Sequence, residues 1–236
     1  MSITSSSTLT AAQPKRRSRP GWLVPAGLIV LALIPVVMGS LRLVELGGGA
    51  ATLPNNPRAD ASPLPIVIHI VSVTVFSVLG AMQFAPGLRR RPARWHRIAG
   101  RVLVFPAGIL AAGSALWMTV FYAHPEGTGE LLVVFRLILG SAMLASLVLG
   151  LLAIRKRAIM THRAWMTRAY AIGLGAGTQV FTLTIGPLVL GPLTETTTAL
   201  MHLAGWVINL AVAEWAIRRR LTSPATARAR GRVAAR

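Results

Sequence analysis

Apolar residues in this chain neither alternate with polar ones nor recur every third or fourth position; they come in blocks. Six blocks stand out, at about 21–43, 64–87, 100–122, 131–154, 165–190 and 198–217, each bounded by Pro, Gly or charge. A helix that crosses a bilayer needs roughly 20 mostly apolar residues, and each block has that length. Alternating segments are few, which argues against a β-barrel. The pattern therefore predicts an all-α, polytopic membrane protein, a six-transmembrane-helix bundle over residues 21–218. The flanking segments 1–20 and 219–236 are polar, small-residue and basic, and are expected to be disordered tails. The first block is too long for the apolar core of a signal peptide, and no small-residue cleavage site follows it, so it is expected to remain as the first helix.

Composition agrees. Hydrophobic residues make up 53% of the 236, and charged residues only 13%. A soluble domain carries about 25% charged residues. There is no cysteine, which excludes disulfides, thiolate metal sites, iron–sulfur clusters and c-type haem attachment.

The net charge of +19 brings nucleic acid to mind, but the placement of the charges excludes it. Lys15, Arg16, Arg17 and Arg19 precede the first block. Arg89, Arg90, Arg91, Arg94, Arg97 and Arg101 follow the second, and Arg155, Lys156, Arg157 and Arg163 follow the fourth. Arg218, Arg219, Arg220, Arg228, Arg230, Arg232 and Arg236 end the chain. The remaining connections hold Glu45, Asp60, Glu126, Glu130 and Glu195, five of the six acids. Basic connections stay in the cytoplasm, so both termini are expected to be cytoplasmic. The same residues favour contact with anionic lipids at that face. Trp22, Trp95, Trp165 and Trp215 fall near the same boundary, where an aromatic belt is expected.

Polar residues inside the blocks are the candidates for chemistry. There are five histidines. His124, in a short turn before Pro125, reads as solvated. His69 and His202 lie a few residues into their blocks from the outer side, at similar depth. His96 and His162 mark the cytoplasmic ends of two others. Two imidazoles on facing helices can hold a haem iron or another metal from both sides. His69 with His202, and His96 with His162, would then form two sites at two heights. Arg136 is available near the outer pair, and Arg97, Arg101, Arg163 and Arg168 near the inner one, to meet haem propionates. Gln83 is 14 residues beyond His69 and shares its helix face. Glu214 is expected to pair with Arg168 or Arg101. Pro106 and Pro187 are the expected kinks, and the glycines of "GLGAG" (173–177) are expected to serve close packing. The bland alternatives are interfacial anchoring for His96 and His162 and an interhelical hydrogen bond for His69 and His202. No phosphate loop, H-E-x-x-H or G-x-S-x-G motif is present.

The stretch "HIVSVTVFSVLGAMQFAPGLRRRPARWHRIAGRV", followed later by "HRAWMTRAYA", resembles a bacterial membrane family, the domain of unknown function 2306. The matching residues are His69, Gly80, Gln83 and Phe84, then His96, Arg97, Gly100 and Arg101, then His162, Arg163, Trp165, Met166 and Arg168. The likeness covers about residues 64–215. It implies a multi-pass protein of the bacterial inner membrane and carries no established activity. A weaker similarity, to two-haem transmembrane b-type cytochromes, rests on histidine placement. It implies haem b and transmembrane electron transfer, with a quinone or a periplasmic redox partner. The alternative is a non-redox helper or transporter-like subunit that binds lipid, quinone or a small metabolite.

Overall fold

The computed structural model describes residues 21–85, 93–124 and 127–222. It is all-α, with no strand among those residues. The first span is α1, Leu23–Leu46, and a single-turn helix, α2, Pro57–Ala61, interrupts the connection that follows it. α3 is Pro63–Met82. α4, Ala93–Ala99, runs through a π-helical turn, Gly100–Val104, into α5, Phe105–Phe121. α6 is Gly129–Arg155. α7, Ile159–Gly173, and α8, Gly175–Leu190, follow, and α9 is Glu195–Leu221.

Five helices are long and apolar enough to cross a membrane, and α7 with α8 makes a sixth span bent by 43°. The expected six spans are therefore present. Their boundaries differ in several places: α3 ends at Met82, before 87, and α7 begins at Ile159, before 165, so that His162 lies inside helix. The third span begins at Ala93, so His96 lies inside helix, and the last extends to Leu221. The tail 1–20, the loop arginines Arg89, Arg90 and Arg91, the side chains of Arg94 and Trp95, and the tail beyond Thr222 lie outside the described residues.

Neither Pro106 nor Pro187 lies at the break of a span. Pro187 sits within α8, and Pro106 at the start of α5. Proline has no N–H to give the preceding turn, and its ring crowds that turn's carbonyls. The chain answers by widening: the Phe105 N–H reaches back five residues, to the Gly100 carbonyl. The break in the bent span, the fifth along the chain, falls at Leu174, between Gly173 and Gly175. Each glycine of that stretch lies under a neighbouring group. A Cβ on Gly173 would stand 2.7 Å from the Phe76 ring; one on Gly175 would overlap the Trp206 indole, and one on Gly177 the Leu31 carbonyl. The expectation of close packing holds. The freed carbonyl of Ala171 is met by the Asn209 amide at 3.1 Å, and Asn209 in turn accepts from Thr178 at 2.6 Å.

The break shapes the interior. α1 packs on α3, α3 on α5, α5 on α6, α6 on α9, α9 on α8, and α8 on α1, which closes a ring. α7 touches α3, α5, α6 and α9 and fills the centre of one half. Beyond Leu174 the chain leaves the centre and joins the ring as α8. Its departure leaves a partly open cavity in the other half of the bundle.

The filled half is the basic end. Its elements are tied by residues of the resemblance motifs. The Tyr170 ring lies on Gly80, within 5.6 Å of Phe76 and 5.1 Å of Phe84, and its hydroxyl donates to the Ser77 carbonyl at 2.6 Å. Met166 packs on Gly150, with Sδ 2.9 Å from where a Cβ would be, and the His162 Nδ1 meets the Gly150 carbonyl at 2.8 Å. Arg168 holds Glu214 of α9 through two nitrogens and stacks on Trp165 at 4.7 Å.

Candidate functional site

The hollow in the other half is a cavity of about 420 Å³. Ile172, Gly173 and Ala176, on either side of the break, form its floor. α3 contributes His69, α6 contributes Arg136, Leu139 and Met143, and α9 contributes His202 and Trp206. Gln179 comes from α8, and the roof holds Asn56, Arg58, Tyr122 and His124. His69 is the seventh residue of α3 and His202 the eighth of α9, some 9 and 10.5 Å along their helices at ~1.5 Å per residue. The expected equal depth of this pair is what the helix starts give. α3 and α9 are not packing neighbours, so the two histidines line one space from different walls.

Each imidazole is oriented by its Nδ1. In His69 that nitrogen is 3.1 Å from the Ala111 carbonyl and 3.1 Å from the Ser114 hydroxyl. The Ser114 proton is given to the Leu110 carbonyl at 2.6 Å, so both neighbours offer lone pairs and the Nδ1 carries the proton. In His202 the Nδ1 faces the Thr198 carbonyl at 2.9 Å, with the same result. This assignment follows from the hydrogen-bond network. The Nε2 of each neutral ring is left as an acceptor. Gln179, buried, donates to the His202 carbonyl at 3.0 Å and fixes α8 against α9 beside the cavity.

Arg136 is the unbalanced group. It is half-buried in the second turn of α6 and has no hydrogen-bond or ion-pair partner among the described residues. Arg58 stands close enough for the two cations to repel, and the charge of Arg136 also reaches His202. Arg58 is itself held only by neutral groups: the Asn56 side chain at 3.2 Å, the Ala123 carbonyl at 3.5 Å and the Tyr122 ring at 5.9 Å. Among the described residues no carboxylate lines the cavity. A cation within a membrane span is costly unless something pairs with it.

The other candidates lie elsewhere. His96, His162, Gln83, Arg101 and Arg168 do not line this cavity. His162 serves the elbow between α6 and α7, Arg168 serves α9, and Gln83 ends α3 near Gly100, at the opposite end from His69. His124 is exposed, as expected of a solvated residue, while its Nε2 meets the Thr119 carbonyl at 3.0 Å and its ring borders the cavity roof. Arg58 was not singled out by sequence reasoning at all. Its signal was present: it is a lone basic residue in a connection otherwise free of cations between Arg42 and the next span. Among the described residues no three of His, Asp and Glu come together as a metal would require. A zinc ion takes four ligands, three or four of them from protein. His69 and His202 alone do not supply that set.

Fold and cavity together define a polytopic, all-α membrane protein with a partly open cavity lined by two arginines. It belongs to a family of predicted membrane proteins, DUF2306, whose model matches residues 66–217. No curated protein and no solved structure matches the chain, so the similarity to two-haem b-type cytochromes finds no support there.

Proposed function

We propose that the protein is a membrane-embedded binding or carrier subunit for a small amphiphilic anion, held in this cavity. The carrying observation is Arg136, a guanidinium in an apolar span with no partner among the described residues, facing a space whose described lining holds a second arginine and no acid. A carboxylate or phosphate head would pair with Arg136 and Arg58 in a bidentate manner. The Nε2 atoms of His69 and His202 would accept from its hydroxyl groups. Leu139, Met143 and Trp206 would cover the apolar body. The volume falls within the ~300–1,000 Å³ of small-molecule sites. A span broken beside the cavity is also a feature of transporters, where half-helix ends face the substrate. A quinone, by contrast, is uncharged and would leave both guanidiniums unbalanced.

The test uses protein in nanodiscs of neutral phosphatidylcholine with 11-(dansylamino)undecanoic acid as the probe. Saturable binding is expected for the acid and not for its primary amide. Arg136→Gln should weaken binding at least tenfold, or about 1.4 kcal/mol. Equal binding of acid and amide, or an unaffected Arg136→Gln, ends this reading.

A second reading has its own observation: both cavity histidines give their Nδ1 protons to backbone carbonyls, the arrangement that typically orients metal-ligating imidazoles. Haem b is itself an amphiphilic dicarboxylate and brings four ring nitrogens, so two imidazoles would complete its iron. Bound there it would supply one-electron transfer, while Arg136 and Arg58 would hold its propionates. Protein purified from haem-supplied cells would then show a Soret band that His69→Phe and His202→Phe each abolish. Its absence leaves the organic-anion reading alone.

A further inference from the structure

The cavity has an antechamber. A second hollow, of about 460 Å³, is lined by Arg42, Asn55, Asn56, Arg58, Ala123 and His124 among others. Asn56, Arg58 and His124 line both spaces, so the two meet at these three side chains.

The rim of the antechamber is built. The Glu45 carboxylate accepts the backbone N–H groups of Thr52 and Leu53 and pairs with Arg42 at 2.8 Å. Arg42 also donates to the Pro54 carbonyl at 2.7 Å. The connection after α1 is thereby folded back onto the helix end, and its last residues lead into α2. Glu45 neutralises Arg42 and leaves Arg58 and Arg136 as the uncompensated cations. They lie in series: Arg58 at the junction of the two hollows, Arg136 within the inner one. The neutral acceptors that hold Arg58 are weaker than a carboxylate would be, and an arriving anion can displace them.

Six exposed cations, Arg97, Arg101, Arg155, Lys156, Arg157 and Arg163, belong to the other end of the bundle. Basic ends stay cytoplasmic. The antechamber end then faces outward.

We propose that the antechamber is the port through which the anion enters from extracytoplasmic water, with Arg58 as the residue that passes it inward to Arg136. This rests on the anion-binding reading above. It adds a route and a side: the ligand arrives from the aqueous phase, not laterally out of the lipid. Two cations in series along a narrow opening focus the field and raise the association rate, and salt screens that effect.

The chain has no cysteine, so a single Ala123→Cys introduces a unique thiol at the antechamber wall. In intact cells, the membrane-impermeant reagent 2-sulfonatoethyl methanethiosulfonate should modify it without permeabilisation. In neutral-lipid nanodiscs, stopped-flow association of 11-(dansylamino)undecanoic acid should slow at least tenfold once the sulfonate is attached. An uncharged methylthio label should slow it less. Arg58→Gln should slow association at least fivefold while changing the equilibrium affinity less than Arg136→Gln does. Asn55→Cys gives a second position should Ala123→Cys misfold. An association rate unchanged by the sulfonate overturns the port, as does a thiol modified only after permeabilisation. Failure of the parent reading looks different: unlabelled protein then fails to bind the probe at all.

Discussion

Tyr170 shows what the most distinctive residues of the chain do. Its ring occupies the space that a side chain at position 80 would need, and its hydroxyl ends on the Ser77 carbonyl. Gly80, Phe84 and Tyr170 are one contact, and Gly150, His162 and Met166 another. The histidine of the "HRAWMTRAY" segment is thus a helix-to-helix tie. Gly80→Val should overpack the first contact and cost roughly 1–3 kcal/mol, read as a fall in melting temperature in detergent. Tyr170→Phe, which removes only the hydroxyl, should cost about 0.5–1.5 kcal/mol. A Gly80→Val melting temperature equal to that of the parent would contradict the assignment. Neither change touches the cavity, so probe binding by the folded fraction should persist. At this scale His69, His202 and Arg136 were visible in the sequence because each is a polar intruder in an apolar run. Arg58 was not, because a polar residue in a connection looks solvated until the fold half-buries it, and exposed His124 gave no sign of the cavity it borders.

The bent fifth span explains how a bundle of this size comes to have a cavity in one half. α7 is polar for a membrane helix, and its polar groups are spent on neighbours: Arg168 on Glu214 of α9, Tyr170 on α3, His162 on α6. α8 carries no ionisable group and joins the ring at α1 and α9. The apolar blocks announced six spans, since length and hydropathy are properties of single segments. The bend was hidden, because it arises from what sits on Gly173, Gly175 and Gly177 and those partners lie far along the chain. The Arg168–Glu214 pair sets the register of α7 against α9, and both side chains keep about a third of their surface. Arg168→Glu or Glu214→Arg alone places like charges together, and each should lower the melting temperature. The double exchange should recover part of the loss. A coupling of about 0.5–3 kcal/mol is expected for side chains in contact. Strict additivity of the two single changes would show that the pair carries no register energy.

Across the whole molecule the exposed cations of the α6–α7 elbow and the cavity occupy opposite ends, and the proposed port links them: with the arginine-rich end inside the cell, the antechamber would face outward. An even number of spans also places Leu23 and Leu221 on one side. Sequence alone carries the expectation of this polarity, because flank charge acts during insertion, before any tertiary contact exists. It did not supply the hollow, which depends on all the ring helices at once. Two single-cysteine variants read the polarity directly. Ala51→Cys lies in the exposed connection after α1, and Thr161→Cys is exposed in the first turn of α7, at the basic end. In intact cells an impermeant maleimide should label Ala51→Cys and spare Thr161→Cys, and permeabilisation should expose the second. Replacing Arg155, Lys156, Arg157 and Arg163 by Gln in the Ala51→Cys background should lower outside labelling, because the bias of one cytoplasmic connection is then removed. The reverse labelling pattern would place the antechamber in the cytoplasm. The cavity and its arginines would stand unchanged, but the anion would load from within the cell.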